Sequence, residues 1–260
     1  MKSIKNYLNS CLESLLDDDD IYLDPENDKN LIVDWIKSNY IIIGKLSISD
    51  DLVADCTGSV IVKNRNIESL TNGIFRWGVV GGSFSCSECK NLKSLEGAPK
   101  RVGETFYCYD CDKLESLEGA PKRVGETFYC YDCDNLTSLE GAPERVGDLF
   151  DCSDCKNLTS LKGAPEKDVE RFNCSNCDKL MSLEGAPKEV GGDFVCKKCE
   201  KLTSLEGAPE EVGKNFYCNN CKNLKTLDGA PKKIGRGFWC SDCLNLTITD
   251  SDRKKYKIVQ

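Results

Sequence analysis

Residues 106–127 read FYCYDCDKLESLEGAPKRVGET, and the chain contains eight copies of this pattern with no change of period. Each copy contains a Cys-x-x-Cys pair that starts 22 residues after the pair before it. The first cysteines of the eight pairs are Cys86, Cys108, Cys130, Cys152, Cys174, Cys196, Cys218 and Cys240. A repeat of this length is typical of a solenoid, in which each unit buries its apolar side only against its neighbours.

The apolar residues of the unit keep their positions, while the charged residues vary. Eight of the nine phenylalanines lie two residues before a first cysteine, and seven of the eight prolines end a Gly-Ala-Pro step. Phe106 and Cys108 are two residues apart and face the same side of a short strand, which leaves Tyr107 on the other side. Gly and Pro leave no room for a regular helix within the unit. We therefore predict a mainly β solenoid with parallel strands on one face.

The segment from Val102 to Leu114 resembles the cysteine-containing leucine-rich repeats, whose pattern is Leu-x-x-Leu-x-Leu-x-x-Cys-x-x-Leu/Ile. Phe106, Cys108, Cys111 and Leu114 match this pattern, and Val102 is one residue out of step. The resemblance extends over residues 84–248, and the array is similar to the short cysteine-rich repeat arrays of bacteriophage and mobile-element genomes. It implies a leucine-rich-repeat-like stack with a parallel sheet on the concave side, a protein-binding role and no catalytic residues.

The sequence on either side of the eight units predicts caps. Residues 1–83 are predicted to form a small α+β N-terminal region with a degenerate first repeat from about residue 59, and residues 249–260 a C-terminal cap. Apolar spacing predicts helices at residues 4–16 and 31–36, with Asp28 as the N-cap of the second. A strand at residues 46–48 is predicted to pair with residues 59–63. Asp168-Val169 replaces the Val-Gly step of one unit, which predicts an irregular joint there.

Composition excludes several classes of function. The chain has 260 residues, 18 cysteines, no histidine and a formal net charge of −8. Without histidine it has no Ser-His or Cys-His catalytic pair, so we predict that it is not an enzyme. The negative charge disfavours nucleic acid as a partner, and no motif indicates a small-molecule substrate. The absence of a signal-peptide core and of a long apolar run predicts a soluble cytoplasmic protein, in the host cell if it is phage-encoded.

One acidic stretch, Glu13 to Asp20, lies outside the repeats. Clustered carboxylates repel one another, which is typical of a helix end or a loop. Two alternatives are a short recognition motif and, together with Asp24, Glu26 and Asp28, a weak divalent-cation site. The stretch lacks the spacing and the glycine of an EF-hand.

The Cys-x-x-Cys pairs allow three interpretations. Cys86, Cys89, Cys108 and Cys111 have the spacing of a four-cysteine zinc site, which makes a zinc-binding structural protein the main alternative. A redox site is disfavoured because no helix N-terminus follows the pairs. The third interpretation is two columns of buried reduced thiols, and we favour it because the repeat already explains the spacing. We therefore predict no cofactor, with zinc as the alternative.

Function is expected on the outward positions of the strands, because these vary while the buried positions do not. Two neighbouring units carry tyrosine at both outward positions, and aromatic residues return near the end of the array. Exposed tyrosine and tryptophan are enriched in protein interfaces. The predicted partner-binding residues are Tyr107, Tyr109, Tyr129, Tyr131, Asp110, Asp132, Tyr217 and Trp239. We predict a non-enzymatic module that binds a protein. The resemblance to phage and mobile-element arrays implies an accessory protein that engages a host or viral protein, with inhibition and scaffolding as the two alternatives for its effect.

Overall fold

A short strand lies at the phenylalanine of every unit in residues 25–166 and 168–259, the parts of the chain that the computed structural model describes. In chain order the elements are α1 (Pro25–Asn39), β1 (Tyr40–Ile43), β2 (Leu46–Ile48), β3 (Val53–Cys56), β4 (Ser59–Val62), β5 (Arg76–Val80), β6 (Phe84–Ser85), β7 (Arg101–Val102), β8 (Phe106–Tyr107), β9 (Arg123–Val124), β10 (Phe128–Tyr129), β11 (Arg145–Val146), β12 (Leu149–Asp151), β13 (Arg171–Asn173), β14 (Glu189–Val190), β15 (Phe194–Val195), β16 (Glu211–Val212), β17 (Phe216–Tyr217), β18 (Lys233–Ile234), β19 (Phe238–Trp239), α2 (Asp250–Lys255) and β20 (Ile258–Val259).

The phenylalanine strands stack in parallel and in register, so that Phe106 lies beside Phe128 and Phe128 beside Phe150. With strands from both ends of the chain they form a sheet of 11 strands in the order β1-β4-β6-β8-β10-β12-β13-β15-β17-β19-β20, called the long sheet below. The predicted fold class, a mainly β solenoid with parallel strands after a small α+β N-terminal region, is confirmed.

A second row of strands, which was not predicted from the sequence, forms at the valine of the Val-Gly step and the residue before it, as in Arg101–Val102. It comprises a six-stranded sheet in the order β11-β9-β7-β5-β3-β2 and a three-stranded sheet in the order β14-β16-β18. The interruption falls at Asp168, which adopts a positive φ of 59° and pairs its carboxylate with Arg145. Val169 remains buried although it joins no strand. The predicted irregular joint is therefore confirmed, and it divides only this second row of strands.

The core consists of columns of identical residues. From Phe84 to Phe216 the phenylalanine rings stack nearly parallel, with centroids 5.3–5.5 Å apart. Columns of leucine and valine flank the rings, and the two cysteines of almost every unit are fully buried. Such a column gains dispersion and hydrophobic energy at every step along the axis. The two end units must therefore be covered by other residues.

Tyr40 and Tyr256 close the two ends of the phenylalanine column. Tyr40 packs against the rings of Trp77 and Phe84, with centroids 5.4 and 6.3 Å away, and its hydroxyl donates to the carbonyl of Leu70. Tyr256 packs 5.2 Å from Phe238 and donates its hydroxyl to Pro231 O at 3.0 Å. It follows α2, whose N-terminus is closed by a capping box between Thr249 and Asp252.

Two details of the predicted N-terminal region were wrong. Residues 59–62 pair with β1 in antiparallel fashion, whereas the predicted partner, β2, pairs with β3. The β-branched run Ile41-Ile42-Ile43 directly follows the helix and favours a strand, and this strand takes the place beside β4 that was predicted for β2. Asp28 lies inside α1 rather than at its N-cap, since the helix already includes Pro25, whose fixed φ suits a first turn. The helix predicted at residues 4–16 lies outside the described residues.

The glycine of the Val-Gly step permits a close approach of neighbouring units. A Cβ added to Gly125 would overlap the carbonyl oxygen of Gly103 in the preceding unit. The equivalent Gly191 follows the irregular joint, and the three atoms nearest to an added Cβ there belong to the flexible carboxylate of Glu170, at 3.0–3.1 Å. The same residue type therefore has different steric surroundings in two copies of one position.

We expect Gly125→Ala to lower the free energy of unfolding by about 1–3 kcal/mol, because the added methyl group must push two backbones apart. Gly191→Ala is the matched control and should change it by less than about 1 kcal/mol. Urea unfolding followed by circular dichroism measures both. Equal losses in the two variants would contradict the close stacking at Gly125.

Candidate functional site

The cysteines of the array hydrogen-bond from unit to unit. The thiol of each second cysteine donates to the carbonyl of the first cysteine in the preceding unit, as in Cys111 to Cys86 O at 3.3 Å and Cys133 to Cys108 O at 3.2 Å. This contact recurs in each later unit through Cys243, at 3.1–3.4 Å. Several first cysteines donate to the next unit, including Cys108 to Tyr129 O at 3.3 Å. The thiols thus act as small hydrophobic groups that also donate weak hydrogen bonds.

Burial suppresses the ionisation of these thiols. Desolvation raises the pKa of Cys89 and of Cys155 to about 12, and raises the pKa of Cys108 well above its ordinary value. A reactive cysteine needs a lowered pKa and solvent access. These three thiols have neither, which agrees with the structural interpretation of the columns.

The raised pKa values make stability depend on pH in one direction. Below about pH 9 the thiols are protonated in both the folded and the unfolded chain, so the stabilisation from their burial is complete. Above that pH the unfolded thiols lose protons while the folded ones keep them until the raised pKa of about 12. Each such thiol then lowers the free energy of unfolding by about 1.4 kcal/mol per pH unit.

We therefore expect the urea midpoint to fall steeply between about pH 9 and pH 11, in the presence of a phosphine reductant. A variant with Cys108, Cys130 and Cys152 changed to Ala is the control, because it has fewer buried thiols to titrate. Its stability at neutral pH is lower, but the fall with pH should be less steep. Identical slopes would show that the thiols are not responsible.

The zinc alternative named Cys86, Cys89, Cys108 and Cys111. The thiols of Cys111 and Cys108 are engaged by backbone carbonyls, as described above. Over residues 25–166 and 168–259, no three side chains of Cys, Asp or Glu are grouped to hold a metal ion. Zinc binding by this chain would require these thiols to leave their carbonyl partners and ionise together.

We predict that protein purified under reducing conditions contains well below one zinc ion per chain. Elemental analysis by mass spectrometry measures this directly, with the protein dialysed against buffer free of chelator. A content of about four zinc ions, one for every two units, would contradict the packed-thiol interpretation and support the alternative.

The structure brings the four predicted tyrosines together on the outward side of the long sheet. We call Tyr107, Tyr109, Tyr129 and Tyr131 the tyrosine patch. Tyr107 stacks on Tyr129 with centroids 5.4 Å apart, and Tyr109 stacks on Tyr131 at 4.6 Å. Within each unit the two rings meet edge to face, at 6.3 and 5.8 Å. All four side chains are half-buried, so each ring is held by its neighbours and keeps one side in solvent.

The two predicted aspartates occupy a position with a backbone role that the sequence analysis missed. Asp110 and Asp132 have φ values of 55° and 56°. The equivalent residue of every unit is also left-handed, in the series Glu88, Asp110, Asp132, Asp154, Asn176, Lys198, Asn220 and Asp242. Asp and Asn tolerate this conformation better than most residues, so their frequency at this position was the available signal. Asp110 additionally binds Lys90 Nζ at 2.6 Å, whereas Asp132 is exposed beside the patch.

The predicted second contact also forms. Tyr217 stacks on Trp239 with centroids 5.8 Å apart, and Trp239 is 36% exposed. The ammonium group of Lys197 lies 4.4 Å from the centroid of Tyr217, a cation–π contact that the sequence analysis did not name. We call Tyr217 and Trp239 the tryptophan patch. Four strand spacings separate Tyr129 from Tyr217, which is about 19 Å along the axis, so the two patches are separate.

The predictions for the acidic stretch from Glu13 to Asp20 lie outside the described residues. The described residues contain no helix with the length and hydropathy needed to span a membrane.

These features define a repeat-based β-solenoid with two cysteines in every unit and two aromatic patches on one sheet. Comparisons with models of protein families, with characterised proteins and with solved structures find no significant match to this chain. The resemblance to phage and mobile-element repeat arrays therefore has no support from these comparisons.

Proposed function

We propose that this chain is a non-enzymatic protein-binding module and that the tyrosine patch is its main contact surface. The observation that carries the proposal is the pair of stacked tyrosines in two neighbouring units. Stacked rings lose little conformational entropy on binding, and tyrosine offers both apolar area and a hydroxyl group.

The fold does not require tyrosine at these positions. In the unit of Phe172 the same two outward positions hold Asn173 and Ser175, and the backbone register is unchanged. There Asn173 accepts from the hydroxyl of Ser175 at 2.7 Å and donates to Asp151 at 3.1 Å. The solenoid thus accommodates small polar side chains as well as aromatic ones. The aromatic residues are therefore better explained by binding than by stability.

The chemistry of the patch suits a protein surface. Burial, with a smaller effect from the Asp151 carboxylate, raises the pKa of Tyr129, so its hydroxyl is neutral at pH 7. Neutral hydroxyls beside the exposed carboxylate of Asp132 can donate to and accept from a polar rim, while the rings supply apolar area. The tryptophan patch offers a second contact at the other end of the same sheet.

The finer part of the proposal rests on the resemblance to leucine-rich-repeat-like arrays of phages and mobile elements. We propose that the chain acts in the host-cell cytoplasm and blocks a host protein by covering one of its surfaces. No nucleic acid, membrane, small-molecule substrate or metal cofactor enters the proposal.

The test is capture of a partner by a variant whose patch carries the residues of the Phe172 unit. Tyr107→Asn, Tyr109→Ser, Tyr129→Asn and Tyr131→Ser together should leave folding intact, because the same array already holds Asn173 and Ser175 at these positions. Affinity capture from host lysate with quantitative mass spectrometry should show partners that the native chain retains and this variant loses at least tenfold.

The control changes four exposed residues that follow the Gly-Ala-Pro steps of the units of Phe84 and Phe106. Lys100, Arg101, Lys122 and Arg123 are all exposed, and their replacement by Ser should leave capture unchanged. A partner that the tyrosine variant captures as well as the native chain does would contradict the patch. Loss in both variants would also contradict it, because the effect would then not be specific to the patch.

A further inference from the structure

The charged residues on the patch side of the long sheet are divided between its two halves. In each unit we consider the seven residues from two before the phenylalanine to four after it. The units of Phe106, Phe128 and Phe150 carry only acidic charge in these segments, at Glu104, Asp110, Glu126, Asp132, Asp148, Asp151 and Asp154. The units of Phe194, Phe216 and Phe238 carry basic charge at Lys197, Lys198, Lys214 and Arg236, against two acidic residues, Asp193 and Asp242.

The aromatic patches follow the same division. The tyrosine patch lies in the acidic half and the tryptophan patch in the basic half, with the unit of Phe172 midway between them. Three units lie on each side of this central unit within the span from Phe106 to Phe238. The charge of this face is therefore complementary to that of a second copy whose units run in the opposite order.

We propose that this face binds a second copy of the same chain, in a two-fold dimer whose axis runs along the strand direction above Asn173. The inference rests on the proposed function, since it takes the patch side of the long sheet as the protein-contact surface, and it names a second copy as the partner in place of a host protein. A two-fold axis in this direction reverses the order of the units and places equivalent positions opposite each other. The unit of Phe106 then faces that of Phe238 on the other copy, and Phe128 faces Phe216.

This arrangement pairs residues of opposite charge and aromatic residues with each other. It places Glu104 opposite Arg236, Glu126 opposite Lys214 and Asp154 opposite Lys198. It also places Tyr107 opposite Trp239 and Tyr129 opposite Tyr217, so that both aromatic patches are covered. Each contact occurs twice because the interface is isologous. Aromatic anchors at both ends and charged residues at the margins are the composition expected of a specific interface.

The like charges that meet in this arrangement are partly neutralised within each chain. Arg171 lies near the axis and faces Arg171 of the second copy. Within each chain its guanidinium is held by Asp148 at 2.7 and 3.1 Å. Asp110 faces Asp242, and Asp110 binds Lys90. Glu170 lies at the margin near the axis and is exposed to solvent, where repulsion is weak.

The area of the face is enough for a specific but weak dimer. Seven units at the spacing of strands, and the seven-residue segment of each unit, define a face of at most roughly 30 by 20 Å, since only two or three residues of each segment form a strand. Two such faces bury on the order of 1,200 Å², which lies at the lower end of specific protein interfaces. We therefore expect a dimer that dissociates on dilution and weakens with salt.

Charge exchange between the two halves tests the pairing. One full-chain variant, called the acidic variant, carries Lys198→Asp, Lys214→Glu and Arg236→Glu. The other, called the basic variant, carries Glu104→Lys, Glu126→Lys and Asp154→Lys. Each substitution introduces a charge that the same position already carries in another unit, so both variants should fold, which circular dichroism and urea unfolding verify.

Sedimentation velocity over a range of protein concentrations should show a dimer for the native chain and monomers for each variant alone. An equimolar mixture of the two variants should form a dimer again, because the face of the acidic variant then meets the face of the basic variant. Native chain that stays monomeric, variants that dimerise as the native chain does, or a mixture that stays monomeric would each overturn the inference. Open-ended oligomers of the native chain would overturn it as well, because a two-fold interface closes on itself.

The capture experiment above distinguishes this failure from failure of the proposed function. A monomeric chain that still loses a captured partner when the tyrosines are replaced would retain the proposed function, with a partner other than a second copy. A dimer with the charge dependence described here, combined with capture that does not depend on the tyrosines, would assign the face to self-association alone.

Discussion

In-register stacking is the constraint on which the rest of the structure depends. Because consecutive units have no shift in register, each residue of the unit lies directly beside its equivalents about 4.8 Å away on either side. A buried residue type can therefore repeat only if it packs well against itself. Phenylalanine meets this condition by ring stacking at 5.3–5.5 Å, and the glycine of the Val-Gly step by allowing two backbones to approach. Some charged residues pair with the opposite sign in the next unit, as Glu210 does with Lys232. Others repeat with the same sign and stay exposed to solvent, as Arg101, Arg123 and Arg145 do.

Cysteine meets the same condition by a different route. It is small enough for two columns to fit beside the phenylalanine rings, and its thiol donates to a carbonyl of the neighbouring unit. Alanine would fill less space and donate nothing, whereas serine would bury a more polar group. The Cys-x-x-Cys spacing, which in a single copy would indicate zinc or redox chemistry, thus has a structural explanation once the eight copies are stacked. The expected alkaline sensitivity of the fold follows from this use of cysteine, because the buried thiols whose pKa is raised, such as Cys89, Cys108 and Cys155, must stay protonated in the folded chain.

The sequence was informative where the repeat is strict and uninformative where it ends. The period placed the phenylalanines, cysteines and leucines in the core, and the alternation along the strand placed Tyr107 and Tyr129 outside. The strand at the Val-Gly step was missed because two residues are too short to show a period of two. The pairing of β1 with β4 was missed because Tyr40 to Ile43 resemble nothing in the array. The geometry of the tyrosine patch was predictable, but the left-handed position of Asp110 needed backbone angles.

A perfectly regular solenoid has no particular site, since every unit then offers the same surface. A specific contact must come from positions that the stacking leaves free to differ, and these are the outward positions of the strands. Along this chain they change from tyrosine beside carboxylates, through Asn173 and Ser175, to tryptophan beside Lys197. The buried columns show no comparable trend. Because the interior is the same from unit to unit, a partner that distinguishes one part of the array from another must contact positions that vary, and the patch side of the long sheet carries the aromatic residues among them.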